Sequence, residues 1–232
     1  MRSAALDGIR YAYPLLYKAF STIAEGEHHL RRVMELDRYW SFSKEPVPLA
    51  IHPGEELPSD VVVSAEYDLV YAGGTLGMLH AAVMSVRYGW NVLVFDRHQA
   101  GRSTRDWNIS HGELQRLATT GVFGRADLDA VVVRRYKSGW VAFYKPDGNQ
   151  RRLSMQHVLD CAVDADRLLG MARDVVLSDR RNAVRDGLTF TGCYQLSDSV
   201  VVRAEDRAGN PFHFRAKVLV DAMGILSPVA RQ

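Results

Sequence analysis

The sequence predicts an α/β fold: a three-layer domain on a parallel sheet, with an antiparallel meander and an N-terminal helical segment in front of it. Three observations predict it. Residues 67–96 read as strand, glycine turn, helix and strand, the order that lays two strands in parallel. Residues 199–220 read as two strands around a turn. Residues 1–44 carry apolar side chains at helical spacing.

The helical segment shows Leu15, Leu16, Ala19, Phe20 and Ile23 on one stripe, then Leu30, Val33, Met34 and Leu36 on another. Pro14 and Gly26 divide it. Residues 45–60 hold Pro46, Pro48, Pro53, Gly54 and Pro58, a density of breakers that makes a linker. The expected organisation is a helical lead-in and proline-rich linker over 1–60, then one domain over 61–232. YDLVYAGG, from Tyr67 to Gly74, begins as a strand and ends in glycines. LGMLHAAVMSVRY, 76–88, is apolar almost all round, as a helix pressed on a sheet would be, and Gly89 ends it. NVLVFD, 91–96, is a second buried strand. Tyr136, Trp140, Phe143 and Tyr144 read as packing in the core or along the edge of a strand. Ser154 is expected to cap a helix striped by Met155, Val158, Leu159, Ala162, Ala165, Leu169 and Ala172, and DVVLS, 174–178, to be a third parallel strand. SVVVRAE and FHFRAKVLV flank the turn Asp206–Pro211, and the second arm runs on into VLVDAMG.

Composition narrows the function. Lys and Arg total 29 against 27 Asp and Glu, so the net charge of +2 gives no case for bulk nucleic-acid or membrane binding and leaves room for a local basic patch. The two cysteines, Cys161 and Cys193, sit in no CxxC or Cys/His cluster and read as buried free thiols. His28, His29, His80, His98, His111, His157 and His213 have no metal-ligand spacing, and no metal is expected. GxSxG, HExxH and GxxxxGK[ST] are absent, as are an apolar run of membrane-span length and the apolar core of a secretory signal.

The chemistry lies in AGGTLG: Ala72, Gly73, Gly74, Thr75, Leu76 and Gly77. The Rossmann-like dinucleotide fingerprint GxGxxG follows a strand and opens a helix. Here Gly74 and Gly77 match its second and third glycines, Ala72 holds the first position, and Gly73 stands beside it. Two adjacent glycines allow a tight turn and bring backbone N–H groups close to a pyrophosphate. The helix N-terminus adds its partial positive charge. Gly77 and Ala81 keep helix and sheet close. Asp96 lies 19 residues past Gly77 at a strand end, where an acid would accept the ribose hydroxyls. The structural alternative is a glycine turn in an ordinary βαβ unit with Asp96 merely ending a strand. Arg102, Arg105, Trp107, Asn108 and Ser110 read equally as a polar loop near a cofactor or as a solvated loop with Ser110 capping a helix.

Three segments, YDLVYAGGTLG, DWNISHGELQRL and VLVDAMGILSPVARQ, carry a resemblance over residues 61–232. In their order and separation the chain resembles the FAD/NAD(P)-binding oxidoreductase superfamily of aromatic hydroxylases, geranylgeranyl reductases and lycopene cyclases. It is most similar to its plant and algal members. The resemblance implies FAD as cofactor, its pyrophosphate on Ala72–Gly77, its adenosine ribose on Asp96 with Arg97 nearby, and a return contact from Asp221 to Gly224. Met223 stands where some relatives carry Thr or Asp. It implies a flavin-dependent reductase, monooxygenase or cyclase acting on a small apolar or isoprenoid substrate, with NAD(P)H as a candidate reductant and a plastid setting. The alternatives are a cofactor-binding module without turnover, an NAD(P)-dependent oxidoreductase, and a cytoplasmic setting. Relatives continue past the DAMG turn into a substrate domain, so the chain is expected to lack that half. It is then expected to hold FAD weakly and to self-associate through apolar surface at residues 212–230.

Overall fold

The computed structural model describes residues 4–42, 49–54, 56–103, 105–145 and 147–232. The chain divides into two compact units, Met1–Pro48 and Leu49–Gln232. In the first, α1 (Ala4–Ala12), α2 (Pro14–Ser21) and α3 (Gly26–Phe42) follow the punctuation of the sequence. Pro14 opens α2, where its missing N–H costs nothing, and Gly26 opens α3. Ile9 and Leu30 are buried with Tyr17 and Phe20 against them, while Leu15, Ile23, Val33 and Met34 are exposed. Among the described residues, no helix is long and apolar enough to cross a membrane.

The second unit begins inside the proline-rich stretch, where Ile51–Pro53 forms the short strand β1. Then come β2 (Ala65–Ala72), α4 (Leu76–Tyr88), β3 (Val92–Asp96), β4 (Trp107–Ile109), α5 (His111–Arg116), α6 (Arg125–Ala130), β5 (Val132–Arg135), β6 (Gly139–Tyr144), β7 (Gln150–Met155), β8 (Cys161–Val163), α7 (Ala165–Ser178), β9 (Ala183–Asp186), β10 (Thr189–Gln195), β11 (Val200–Glu205) and β12 (Pro211–Asp221). The main sheet runs β1-β10-β11-β12-β2-β3-β9. β12, β2, β3 and β9 run parallel to one another, and β10, β11 and β12 form the expected antiparallel meander. β4, β8 and β5 make a second sheet, and β6 and β7 pair as an isolated hairpin.

Alternation along the strands builds the layers. Leu69 and Tyr71 of β2 and Val92 and Val94 of β3 face Met78, Ala81 and Ala82 of α4 and Leu168, Leu169, Ala172 and Val176 of α7. Val70, Ala72, Leu93 and Phe95 face the other way and share a core with Phe190, Cys193, Val202 and Phe214 of the meander. β3 and β10 lie at different places in the strand order yet share that core, so the meander folds back as the third layer. Both faces of the parallel strands are covered, which is why β2 and β3 read as unbroken apolar runs.

Two expected elements are corrected. Ser154 and Met155 belong to β7 and Ala162 to β8, and the helix starts only at Ala165, where the Asp164 side chain accepts the Arg167 N–H at 2.9 Å. The 174–178 segment is the last turn of α7, not a strand. Asp174 and Leu177 face outward while Val176 is buried one helical turn past Ala172 and two past Leu169. The third parallel strand is instead β9, paired Leu93↔Ala183 through Asp96↔Asp186. Tyr136, Trp140, Phe143 and Tyr144 are all exposed, in place of the expected strand packing. In the 212–230 stretch Val218 and Ile225 are exposed, whereas Phe214 and Ala216 are buried in the meander core.

Candidate functional site

Three strands end side by side. The register places Asp221 of β12 opposite Ala72 of β2, and Ala72 opposite Phe95 of β3. Beyond those ends the ladder continues by one bond on each side: Ala222 N–H donates to the Ala72 carbonyl at 2.8 Å, and Gly73 N–H to the Phe95 carbonyl at 2.9 Å. Gly73 therefore sits in the fork between the two neighbouring strands. Its φ is +112°, a conformation that L side chains rarely adopt, and a Cβ there would collide with the Ala222 carbonyl oxygen. A Cβ on Gly77 would stand 2.9 Å from the Ala222 Cβ, and one on Gly74 would stand 2.5 Å from the Ala100 Cβ. The AGGTLG turn is thus held between two walls, Ala222 on one side and Ala100 on the other.

The Ala100 wall is itself pinned. Gly101 N–H donates to the Gly74 carbonyl at 2.7 Å, and Ala100 N–H donates to Asp186 Oδ1 at 2.9 Å. Arg173 of α7 grips Asp186 with two bonds of 2.9 and 3.0 Å. Burial pushes the Asp186 carboxyl up, but Arg173 and the Ala100 N–H outweigh it and hold the group below the usual carboxylate range.

Between the walls, α4 presents an open end. Thr75 makes no side-chain cap, and the N–H groups of Thr75, Leu76 and Gly77 find no acceptor among the described residues. Leu76 is exposed, so this positive end faces solvent. Asp96, at the end of β3, accepts the Gly74 N–H on Oδ2 and the His98 N–H on Oδ1, both at 2.8 Å. A carboxylate has about four acceptor positions, so these two bonds leave room for ligand hydroxyls. Arg97 follows it, half-buried.

Asp221 is turned into its own loop. Its Oδ1 accepts the Met223 N–H at 3.1 Å and its Oδ2 accepts the Ser227 hydroxyl at 2.5 Å. Ser227 is fully buried, and its Oγ also accepts the Val229 and Ala230 N–H groups, each at 3.1 Å. Gly224 has φ +71° and open space where a Cβ would stand, so its backbone can be approached closely. The Met223 side chain packs on the meander core.

Of the residues singled out in the sequence, Ala72–Gly77, Asp96, Arg97, Asp221 and Gly224 all lie at or beside these strand ends. Ala100, Ala222, Ser227 and the Arg173–Asp186 pair support them without having been singled out. Small residues flanking a glycine turn were the available signal. In the stretch after Asp96, Arg102 pairs with Asp166 at 3.2 Å, Trp107–Ile109 forms β4, and Ser110 forms a capping box with Glu113 at α5. His80 Nδ1 lies 2.8 Å from the buried Tyr71 hydroxyl. Cys161 and Cys193 are free and buried, and burial pushes both thiols up. Among the described residues no group of side chains could hold a metal ion. A separate groove of about 500 Å³ runs between the β10–β11 turn and β12, with Asp221 in its wall and none of residues 72–77.

No family model and no curated protein matches the chain. Solved structures do. RebC soaked with K252c aligns at 17% identity over 74% of this chain and 35% of its own, with a TM-score of 0.51. The halogenase PltM aligns at 20% identity over 72% of this chain and 36% of its own, also with a TM-score of 0.51. The chain spans about a third of the length of each. The likeness shows the fold alone: an α/β layer on a mostly parallel sheet with an antiparallel meander.

Proposed function

We propose that the chain binds FAD and forms the cofactor-binding part of a flavin-dependent oxidoreductase. The observation that carries this reading is the seating of Gly73 against Ala222, which brings the AGGTLG turn and the DAMG turn together beside the open end of α4. A simple nicotinamide site needs the first turn only. A ligand running from Asp96 past α4 to Gly224 uses both.

In this reading the free N–H groups of Thr75, Leu76 and Gly77 donate to the pyrophosphate, and the helix end stabilises its charge. Asp96 accepts the adenosine ribose hydroxyls with Arg97 nearby, and its charge repels a 2′-phosphate. Gly224 allows the ribityl chain to pass close to the backbone, while Asp221 shapes that turn through Ser227. When bound, the flavin supplies the redox chemistry, and the protein orients and tunes it. A small apolar substrate, isoprenoid in character, and NAD(P)H as external reductant complete the proposal.

Titrating the purified chain with FAD, NAD and NADP tests it, with flavin fluorescence quenching and competition as readouts. FAD is expected to bind most tightly and NADP most weakly. Tighter binding of NADP than of FAD would overturn the role given to Asp96 and with it the reading.

A further inference from the structure

We infer that the β6–β7 hairpin docks the protein on an anionic lipid surface. This inference stands apart from the cofactor reading and uses none of its residues.

The hairpin is a two-stranded sheet that pairs with no other strand among the described residues, and nearly all its residues are exposed. Its register sorts the side chains. Trp140, Ala142 and Tyr144 lie on one face opposite Ser154, Arg152 and Gln150. Val141 and Phe143 lie on the other, opposite Leu153 and Arg151. Relative exposures of 56% for Trp140, 56% for Phe143, 73% for Tyr144 and 46% for Leu153 show that neither face is covered. An isolated hairpin of this kind is marginal in water, and contiguous exposed apolar surface marks a contact site.

Charge identifies the partner. Between Val132 and Leu159 stand six cations, Arg134, Arg135, Lys137, Lys145, Arg151 and Arg152, against one acid, Asp147. The whole chain carries only +2, so the remainder is net acidic and the basic charge is concentrated here. Lys137, Lys145, Arg151 and Arg152 have no ion-pair partner among the described residues. Arg152 lies over the Trp140 ring, 4.1 Å from its centroid. That places a cation beside an aromatic ring, the pairing that suits the boundary between headgroups and acyl chains. A second copy docked by two-fold symmetry would bring like charges together. A nucleic acid would use the aromatic rings and the cations, but the aliphatic Val133, Val141, Leu153, Val158 and Leu159 offer no stacking face. An anionic bilayer leaflet uses all three kinds of side chain.

Flotation of the full chain with phosphatidylcholine vesicles, with and without phosphatidylserine, tests the inference. Binding is expected only with phosphatidylserine, with release at high salt and a blue shift of tryptophan emission. Arg151→Gln with Arg152→Gln should weaken binding about 30-fold, and Trp140→Ser with Phe143→Ser at least about 10-fold. These side chains are exposed, so unchanged far-ultraviolet dichroism should accompany both losses. No flotation with either vesicle would overturn the inference. So would equal binding to neutral vesicles, a dimer broken by Phe143→Ser without lipid binding, or tighter binding of single-stranded RNA than of vesicles.

Discussion

Gly73 and Asp96 show how much of the site is scaffold before any ligand arrives. Gly73 must be glycine twice over, for its φ of +112° and for the Ala222 carbonyl against it. Gly73→Ala should therefore cost about 2–4 kcal/mol of folding stability, read as a fall in the urea midpoint with no cofactor present. Asp96 carries a second load, because its carboxylate accepts the Gly74 and His98 N–H groups. Asp96→Ala should then lower stability by about 1–3 kcal/mol as well as weaken FAD binding. Asp96→Asn keeps an acceptor oxygen, so it should recover part of the stability while still removing the charge that, in the proposed role, excludes a 2′-phosphate. If Asp96→Ala leaves the urea midpoint unchanged, its bonds to the turn contribute nothing. AGGTLG and Asp96 were legible because their spacing is set by local geometry. Ala100 and Ala222 were not, because an alanine in a sequence does not reveal which glycine it will meet.

At the scale of elements, the segments bounded by glycine turns were legible, whereas the Met155–Ala172 stripe and the short 174–178 run were not. β2, α4, β3 and the β11–β12 hairpin lie where period and turn residues put them. The 174–178 valines mislead because β-branched residues at a helix end look like a strand when the run is short. β9 escapes because AVRD holds only two apolar residues and is half exposed at the sheet edge. Its place is fixed from outside by Asn182, just before it. Asn182 Oδ1 accepts the buried Val92 N–H at 2.9 Å, and its Nδ2 donates to Ser85 Oγ at 2.7 Å and to the Val176 carbonyl at 2.9 Å. One side chain thus joins β3, α4 and α7. Asn182→Ala strands the Val92 donor in the core and should cost about 2–4 kcal/mol. Ser85→Ala leaves Asn182 two of its three partners and should cost less than about 1.5 kcal/mol. Urea unfolding of both variants checks the order, and a larger loss for Ser85→Ala would show that Asn182 is not the junction.

Across the whole molecule, titrating groups of two kinds bound the pH range of stability. Lys217 and the Asn91 N–H hold the Asp68 carboxyl below its ordinary value, and Arg173 with Ala100 hold Asp186 below its own against the opposing effect of burial. A depressed carboxyl contributes stability above its unfolded pKa, about 3.9, and loses it as pH falls through the lower folded value. Burial acts oppositely on Cys193 and Tyr71, whose pKa values are raised. Their contribution is complete below the unfolded pKa, about 8.5 for the thiol, and is lost as pH rises, because the unfolded chain ionises first. The urea midpoint should accordingly be flat between roughly pH 5 and pH 8 and fall on either side. Asp186→Asn should soften the acid limb, since it removes one of the groups that the acid must protonate. Cys193→Ala should soften the alkaline limb while lowering the plateau, because it leaves a small void in the meander core beside Phe190 and Val202. The two substitutions act on different faces of the sheet, so in the double variant their effects should add. A midpoint that rises between pH 5 and pH 3 would mean that these carboxylates are better accommodated protonated, and that the Arg173 clamp does not hold the loop at Ala100.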